Sequence, residues 1–213
     1  MREFRVLLFL LACLCAAVPA YAQIENERAF LLVAKPGMLD PNFDRTVVLA
    51  IRTDDTGPIG VILNRPSTVT LNALFPDKKE FSRRNDRVYF GGPVEPDALL
   101  FAFRAAHKPA KGLFVDDDIY ISGFSEVLAE VIGHPENAAK QRFFTGFASW
   151  APGQLEDEIA RGGWYVLRFD ARALFEMNPR TLYEELYRRA TVPRIETRGK
   201  PRGEPLFALA RAG

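Results

Sequence analysis

One stretch constrains the fold more than any other. Arg142 to Phe147 (RFFTGF) and Trp164 to Phe169 (WYVLRF) are apolar, β-rich runs, the first continuing towards Trp150, and Pro152-Gly153 breaks the chain between them. A helix pattern then runs from Gly153 to Arg161. It stacks Leu155 on Ile159 at i,i+4, places Gln154, Glu156, Asp157 and Glu158 near its start, and ends at Gly162-Gly163. Strand, helix and strand in that order favour parallel pairing of the two strands.

The other segments add strands before it and helices after it. Phe30–Ala34 (FLLVA) and Thr46–Ile51 (TVVLAI) bracket the loop PGMLDPNFDR, and Asp54 to Pro58 is dense turn chemistry leading to a third strand, Ile59–Leu63. The chain therefore opens as a β-meander with a hairpin between its second and third strands. Further strands are expected at Arg87–Phe90, ended by Gly91-Gly92-Pro93, at Leu99–Arg104, and at Ile119–Ser122 after the acidic turn Asp116-Asp117-Asp118. Leu71–Phe75 reads as a short helix or a turn. Ser125 reads as the N-cap of a helix over Glu126–Ile132, and Pro135 as the start of a helical piece to about Gln141. Two last helices, Ala171–Met177 and Arg180–Arg189, turn Leu182, Leu186 and Tyr183 inward.

Residues 1–22 stand apart. Arg2 and Arg5 precede an apolar run from Val6 to Val18, and Ala20-Tyr21-Ala22 has small residues at the positions of a signal-peptidase cut. The run is short of the roughly 20 residues that a spanning helix needs. Cleavage after Ala22 would give a mature chain from Gln23, periplasmic or secreted. It would remove Cys13 and Cys15, the two cysteines of the chain, so disulfides and thiolate sites are not expected. Leu10-Leu11-Ala12-Cys13 also resembles a lipoprotein box, which would leave Cys13 as a lipidated N-terminus. The mature length of roughly 190 residues suits one domain, with a loosely held basic tail over 191–213. The chain has 28 Lys+Arg and 27 Asp+Glu, of which Arg2, Arg5 and Glu3 fall in the leader. The remainder is formally neutral and has no electrostatic footprint for nucleic acid or an anionic membrane.

The residues offer several ligand groups and no reaction. Asp40 and Asn42 present polar groups from the first loop, where Phe43 is an apolar anchor and Arg45 can pair with an acid. Asn64-Arg65-Pro66 ends the third strand, so Arg65 either offers a guanidinium fork to a carboxylate or phosphate or bonds main-chain carbonyls. Gly91 and Gly92 form either an anion-binding turn or a close backbone approach. Trp150 is a packing residue or a rim platform, and Gln154 and Glu156 begin the acidic helix. Gly123-Phe124-Ser125-Glu126-Val127 has Val127 where a nucleophile elbow needs glycine. His107 and His134 are isolated, and the three aspartates lack the spacing of a calcium loop, so neither a metal nor a cofactor is expected.

PGMLDPNFDRTVVLA (36–50), GVILNRP (60–66), YFGGPV (89–94) and the segment from Gly146 to Ile159, taken in this order, resemble the YqgE/AlgH family of largely uncharacterised bacterial proteins. The resemblance covers roughly Phe30 to Ala190. It implies one α+β domain, a branched mixed β-sheet curled into a partial barrel with helices packed outside. Its positions fall on Pro36, Gly37, Leu39, Asp40, Phe43, Asn64–Pro66, Gly91–Pro93, Trp150, Gly153–Glu156 and Trp164. Members tend to have histidine near Arg104 and glycines where this chain has Ser149 and Ala151. The transcriptional-regulator label attached to members has no basic recognition helix behind it here, and an exported chain would not meet the chromosome. The leading expectation is a non-enzymatic exported domain that binds a small anionic ligand or a protein through Asp40, Asn42, Asn64, Arg65, Gly91, Gly92, Trp150, Gln154 and Glu156. The alternatives are a hydrolase using the helix start at Gln154 and Glu156, or a regulator of gene expression.

Overall fold

The computed structural model describes residues 26–54, 56–133 and 140–192. The leader, Cys13, Cys15, His134 and nearly all of the tail lie outside the described residues. So does most of the helical piece expected from Pro135, whose expected last residue, Gln141, instead opens a strand.

Among the described residues ten strands build one sheet. The opening meander is β1 (Ala29–Ala34), β2 (Val47–Ile51) and β3 (Ile59–Ile62), paired antiparallel in chain order. Then come β4 (Pro66–Thr70), α1 (Leu71–Leu74), a 3₁₀ turn at Lys79–Phe81, β5 (Arg87–Phe90), β6 (Val94–Arg104), β7 (Leu113–Asp116) and β8 (Ile119–Ser122). The chain finishes with α2 (Ser125–Ile132), β9 (Gln141–Ser149), α3 (Gln154–Ala160), β10 (Trp164–Arg168), α4 (Ala171–Phe175) and α5 (Leu182–Thr191). The main path is β10-β1-β2-β3-β9-β6-β8-β7, with β4 and β5 as a side branch. Residues of β7 and of the β1–β10 edge line one polar gap, among them Phe114, Asp116, Arg168 and Phe169, so the sheet curls until its two edges face each other. This is the expected α+β class with a branched, curled mixed sheet.

Strand β9 is the branch point. One side pairs with β6 over most of its length; the other pairs first with β5, parallel at Phe143–Thr145, and then with β3, antiparallel at Ala148 and Ser149. The switch needs backbones closer than side chains permit. A Cβ on Gly91 would run into the Gly146 carbonyl, one on Gly146 (φ 68°) into the Gly92 carbonyl, and one on Gly92 into Phe147. With both sides of β9 occupied, β10 cannot pair beside it. It joins β1 antiparallel at the far edge, which corrects the parallel pairing expected for the strand–helix–strand unit. The parallel pair is β5 with β9.

Three further corrections follow from local chemistry. Pro66 starts a strand rather than only stopping one: β4 pairs solely with β5, and a residue without N–H is tolerated at the first position of an edge strand. Strand β7 precedes the acidic turn, where Asp117 takes the left-handed conformation (φ 48°) that aspartate tolerates better than most residues. Ser125 is the first helical residue, not the cap; Phe124 holds that position, and its N–H is bonded by Ser122 Oγ at 3.2 Å.

The core has two parts. β1 and β2 are buried along their whole length, between the other strands and α4 and α5, with Leu174, Leu182 and Leu186 fully enclosed. A second cluster packs Val127, Leu128, Val131 and Ile132 of α2 against Phe101, Phe103 and Phe143 of β6 and β9. These four residues recur at helical spacing, so the apolar face of α2 is the one it buries. Among the described residues no helix is long and apolar enough to cross a membrane.

Candidate functional site

The chain leaves β9 at Trp150 and reverses at once. Ala151-Pro152-Gly153-Gln154 is a turn closed by the Gln154 N–H on the Ala151 carbonyl at 3.0 Å, with proline second and Gly153 third at φ 81°. That is the residue choice of a type II turn, whose third position requires positive φ. The Gln154 side chain returns the bond, its Oε1 accepting the Ala151 N–H at 3.0 Å. Since that oxygen faces an obligate donor, Nε2 points the other way and donates to Glu158 Oε1 at 3.1 Å, one helical turn along.

Glu158 gathers the tryptophans. Trp150 Nε1 and Trp164 Nε1 both donate to Oε2, at 3.1 and 3.0 Å. Both indoles are buried, and an indole nitrogen only donates, so Oε2 must accept from both. Phe43 completes the wall, stacked on Trp150 with ring centroids 6.3 Å apart and edge-on to Trp164 at 5.7 Å.

A loop closes over this cluster. Residues 35–46 leave β1 and return to β2, stapled at the base where Lys35 N–H donates to the Gly163 carbonyl at 2.9 Å and Ala34 N–H to the Thr46 carbonyl at 3.0 Å. Asn64 spans the returning limb, Oδ1 accepting from Val47 N–H at 2.8 Å and Nδ2 donating to the Arg45 carbonyl at 2.9 Å. Arg65 donates to the carbonyls of Pro41 and Asp44, at 3.3 and 3.2 Å. Asp40 Oδ1 accepts the Asn42 N–H at 2.8 Å, an Asx turn. Arg45 pairs with Glu184 and lies 4.9 Å from the centre of the Tyr183 ring, while the Tyr183 hydroxyl donates to the Ala34 carbonyl at 2.9 Å. Burial raises the Tyr183 hydroxyl above the usual phenol pKa, and the Arg45 charge opposes that in part.

Between loop and cluster lies a cavity of about 600 Å³, within the range of small-ligand sites. Its walls include Phe43, Trp150, Trp164 and Met38, with Gln154 and Glu158 on the helix side and Asp40 on the loop. Lys35 and Arg161 also line it; the Lys35 ammonium sits 3.6 Å from where a Cβ on Gly162 would be, next in sequence to Arg161. Among the described residues neither cation has a carboxylate partner, and Glu158 has no cationic one. The Lys35 ammonium rests 4.7 Å from the centre of the Tyr165 ring.

Of the residues singled out in the sequence, Asp40, Phe43, Trp150, Gln154 and Trp164 are among those that line this cavity. Asn42, Asn64 and Arg65 shape or brace its loop, and Gly91 and Gly92 lie at the strand branch. Glu156 is elsewhere, paired with Arg52 at 3.1 Å. Trp164 stands among the positions carried by the family resemblance, whereas Glu158, central here, is legible in the sequence only as a carboxylate four residues after Gln154. Among the described residues no group of three or more His, Cys, Asp or Glu side chains could hold a metal ion.

The residues that build this cavity lie within a match to the AlgH-like family spanning residues 31–194. The chain belongs to the AlgH-like family. A UPF0301 protein of Streptomyces avermitilis is 34% identical over 182 residues, covering 78% of this chain and 88% of the relative. A UPF0301 protein of Azoarcus sp. is 35% identical over 159 residues, covering 72% and 84%. The solution structure of the AlgH protein from Pseudomonas aeruginosa superposes with a TM-score of 0.63 at 25% identity, over 76% of this chain and 87% of that one. The crystal structure of protein DIP2367 from Corynebacterium diphtheriae, at 24% identity and the same TM-score, shares the fold.

Proposed function

We propose that this AlgH-like chain is a binding domain whose site is the cavity under the 35–46 loop, and that its ligand is a small molecule with an apolar body and an anionic group. The observation that carries this is the pair of cations, Lys35 and Arg161, on the rim of a cavity walled by Phe43, Trp150 and Trp164, neither cation having an acidic partner among the described residues. Aromatic walls bury an apolar body, and the two cations meet its charge. Phosphate or carboxylate would suit the guanidinium equally. The sequence pattern at 1–22 supports placing the domain outside the cytoplasm after cleavage, and an intact mass starting at Gln23 is the check on that reading.

A protein partner is the second reading, favoured by Leu39, which is 98% exposed at the tip of the loop. A partner segment could cover Leu39 while placing an acidic side chain at the same cations.

The test uses the chain's own fluorescence, because its two tryptophans both line the cavity. Titration with 3-phenylpropanoate should change the emission saturably, and replacing Lys35 or Arg161 by alanine should weaken that binding without lowering the melting temperature. Absence of any saturable change up to about 10 mM, a concentration that captures even millimolar affinity, would count against the site.

A further inference from the structure

Four charged side chains line the cavity, Lys35 and Arg161 against Asp40 and Glu158, and among the described residues no ion pair joins the two sets. The Lys35 ammonium lies beside Gly162, the residue after Arg161, and Glu158 is held by Trp150, Trp164 and Gln154. Those three donors do not exhaust the carboxylate. Two indole N–H groups fill Oε2 and one amide N–H reaches Oε1, whereas a carboxylate accepts about four hydrogen bonds. The site left over is on Oε1. No further described side chain or backbone N–H reaches it, which leaves it open to a donor carried by a ligand.

The type of donor follows from charge and surroundings. Glu158 has no cationic partner among the described residues, so a donor that also opposes its charge has to be a cation. A hydroxyl would fill the lone pair but leave the charge unopposed in a half-buried setting, where a carboxylate without a counter-charge is costly. An ammonium does both.

On the reading that this cavity is the binding site, we infer that its ligand is amphoteric: an amino-acid-like molecule whose amine docks on Glu158 Oε1 while its anionic group meets Lys35 and Arg161, with an apolar side chain against Phe43. The cavity volume suits a single aromatic amino acid or a dipeptide.

The experiment compares probes that share one phenyl body on the unmodified protein, read by tryptophan fluorescence and checked by calorimetry. 3-Phenylpropanoate carries only the anion, phenethylamine only the cation, phenylalanine both, and N-acetylphenylalanine keeps the carboxylate with the amine charge removed. Phenylalanine is expected to bind at least about tenfold more tightly than each of the others. Glu158→Gln should bring the ratio of phenylalanine's affinity to that of N-acetylphenylalanine, both measured on the same variant, down to about one. If phenylalanine binds no better than 3-phenylpropanoate, the amphoteric ligand is overturned and the anion-binding cavity stands. If phenethylamine alone binds, or no probe does, both readings fall. Because the key comparison is made between ligands on the unmodified protein, it does not depend on how well the variant folds.

Discussion

Trp150 and Trp164 donate their indole N–H groups to one and the same oxygen, Oε2 of Glu158, at 3.1 and 3.0 Å. The two residues lie at either end of the turn–helix–turn that carries Glu158, so a single carboxylate ties the end of β9 to the start of β10. Removing it strands two buried donors. Glu158→Ala should therefore cost about 2–4 kcal/mol, since each unpaired donor loses part of its desolvation free energy. Glu158→Gln keeps an oxygen for the indoles but turns an NH₂ towards the Gln154 amide, two donors face to face, and should cost about 1 kcal/mol. Denaturant unfolding followed by tryptophan emission measures both. An alanine variant as stable as the parent would mean that water replaces the carboxylate without loss.

The glycines at the branch separate steric need from conformational need. Gly146→Ala demands positive φ of an L-residue and drives a methyl into the Gly92 carbonyl, and Gly91→Ala meets the Gly146 carbonyl. Neither obstacle is a flexible side chain, so each variant should lose more than about 3 kcal/mol, the upper range for overpacking, or fail to accumulate folded. Gly153→Ala has the same sign of φ but open space around its Cβ, and should cost only about 1–2 kcal/mol from left-handed backbone strain. Thermal melts of the three variants rank them. Equal losses for Gly146→Ala and Gly153→Ala, with Gly91→Ala tolerated, would show that backbone strain alone decides.

Much of this architecture is legible in the sequence because burial dictates residue type. The β1–β3 meander, β5, β8 and the apolar face of α2 are all carried by unbroken or periodic hydrophobic runs. β4 is not, since Pro66-Ser67-Thr68-Val69-Thr70 is a partly exposed edge with no apolar run to betray it. The partner of β10 is not legible in its own segment, because pairing depends on which strand sides are already occupied, and that is a property of β9's three neighbours rather than of the strand–helix–strand segment. The site was half visible for a similar reason. Trp150, Gln154 and Asp40 sit in or beside recognisable turns, whereas Lys35, Arg161 and Glu158 acquire meaning only when the loop folds over α3.

Arg65 tests how that loop is held. Its guanidinium is engaged by the Pro41 and Asp44 carbonyls at a partly exposed position, so Arg65→Ala should lower stability by about 1 kcal/mol. It should also loosen the roof of the cavity. Limited proteolysis within residues 36–45 should become faster, and binding of 3-phenylpropanoate weaker, in the same variant. Weaker binding with proteolysis and stability unchanged would instead make Arg65 a direct ligand contact.

Tyr183 gives the fold a dependence on alkaline pH. Its hydroxyl donates to the Ala34 carbonyl, where β1 hands over to the loop, and burial holds its pKa above the unfolded value of about 10. A raised pKa means that folding favours the protonated phenol. The stabilisation is fully present below the unfolded pKa and disappears as pH rises through the folded one, because a phenolate must then be buried without a proton to donate. Stability should thus be insensitive to this group at neutral pH and fall above about pH 10. Tyr183→Phe should cost about 1–3 kcal/mol at pH 7 by leaving the Ala34 carbonyl unpaired, yet flatten the alkaline limb of the stability curve. Urea unfolding of both proteins at pH 7, 9 and 10.5, values chosen to bracket the unfolded phenol pKa of about 10, decides the matter. An alkaline limb that persists unchanged in the phenylalanine variant would assign it to other groups and leave the Tyr183–Ala34 bond with a purely neutral role.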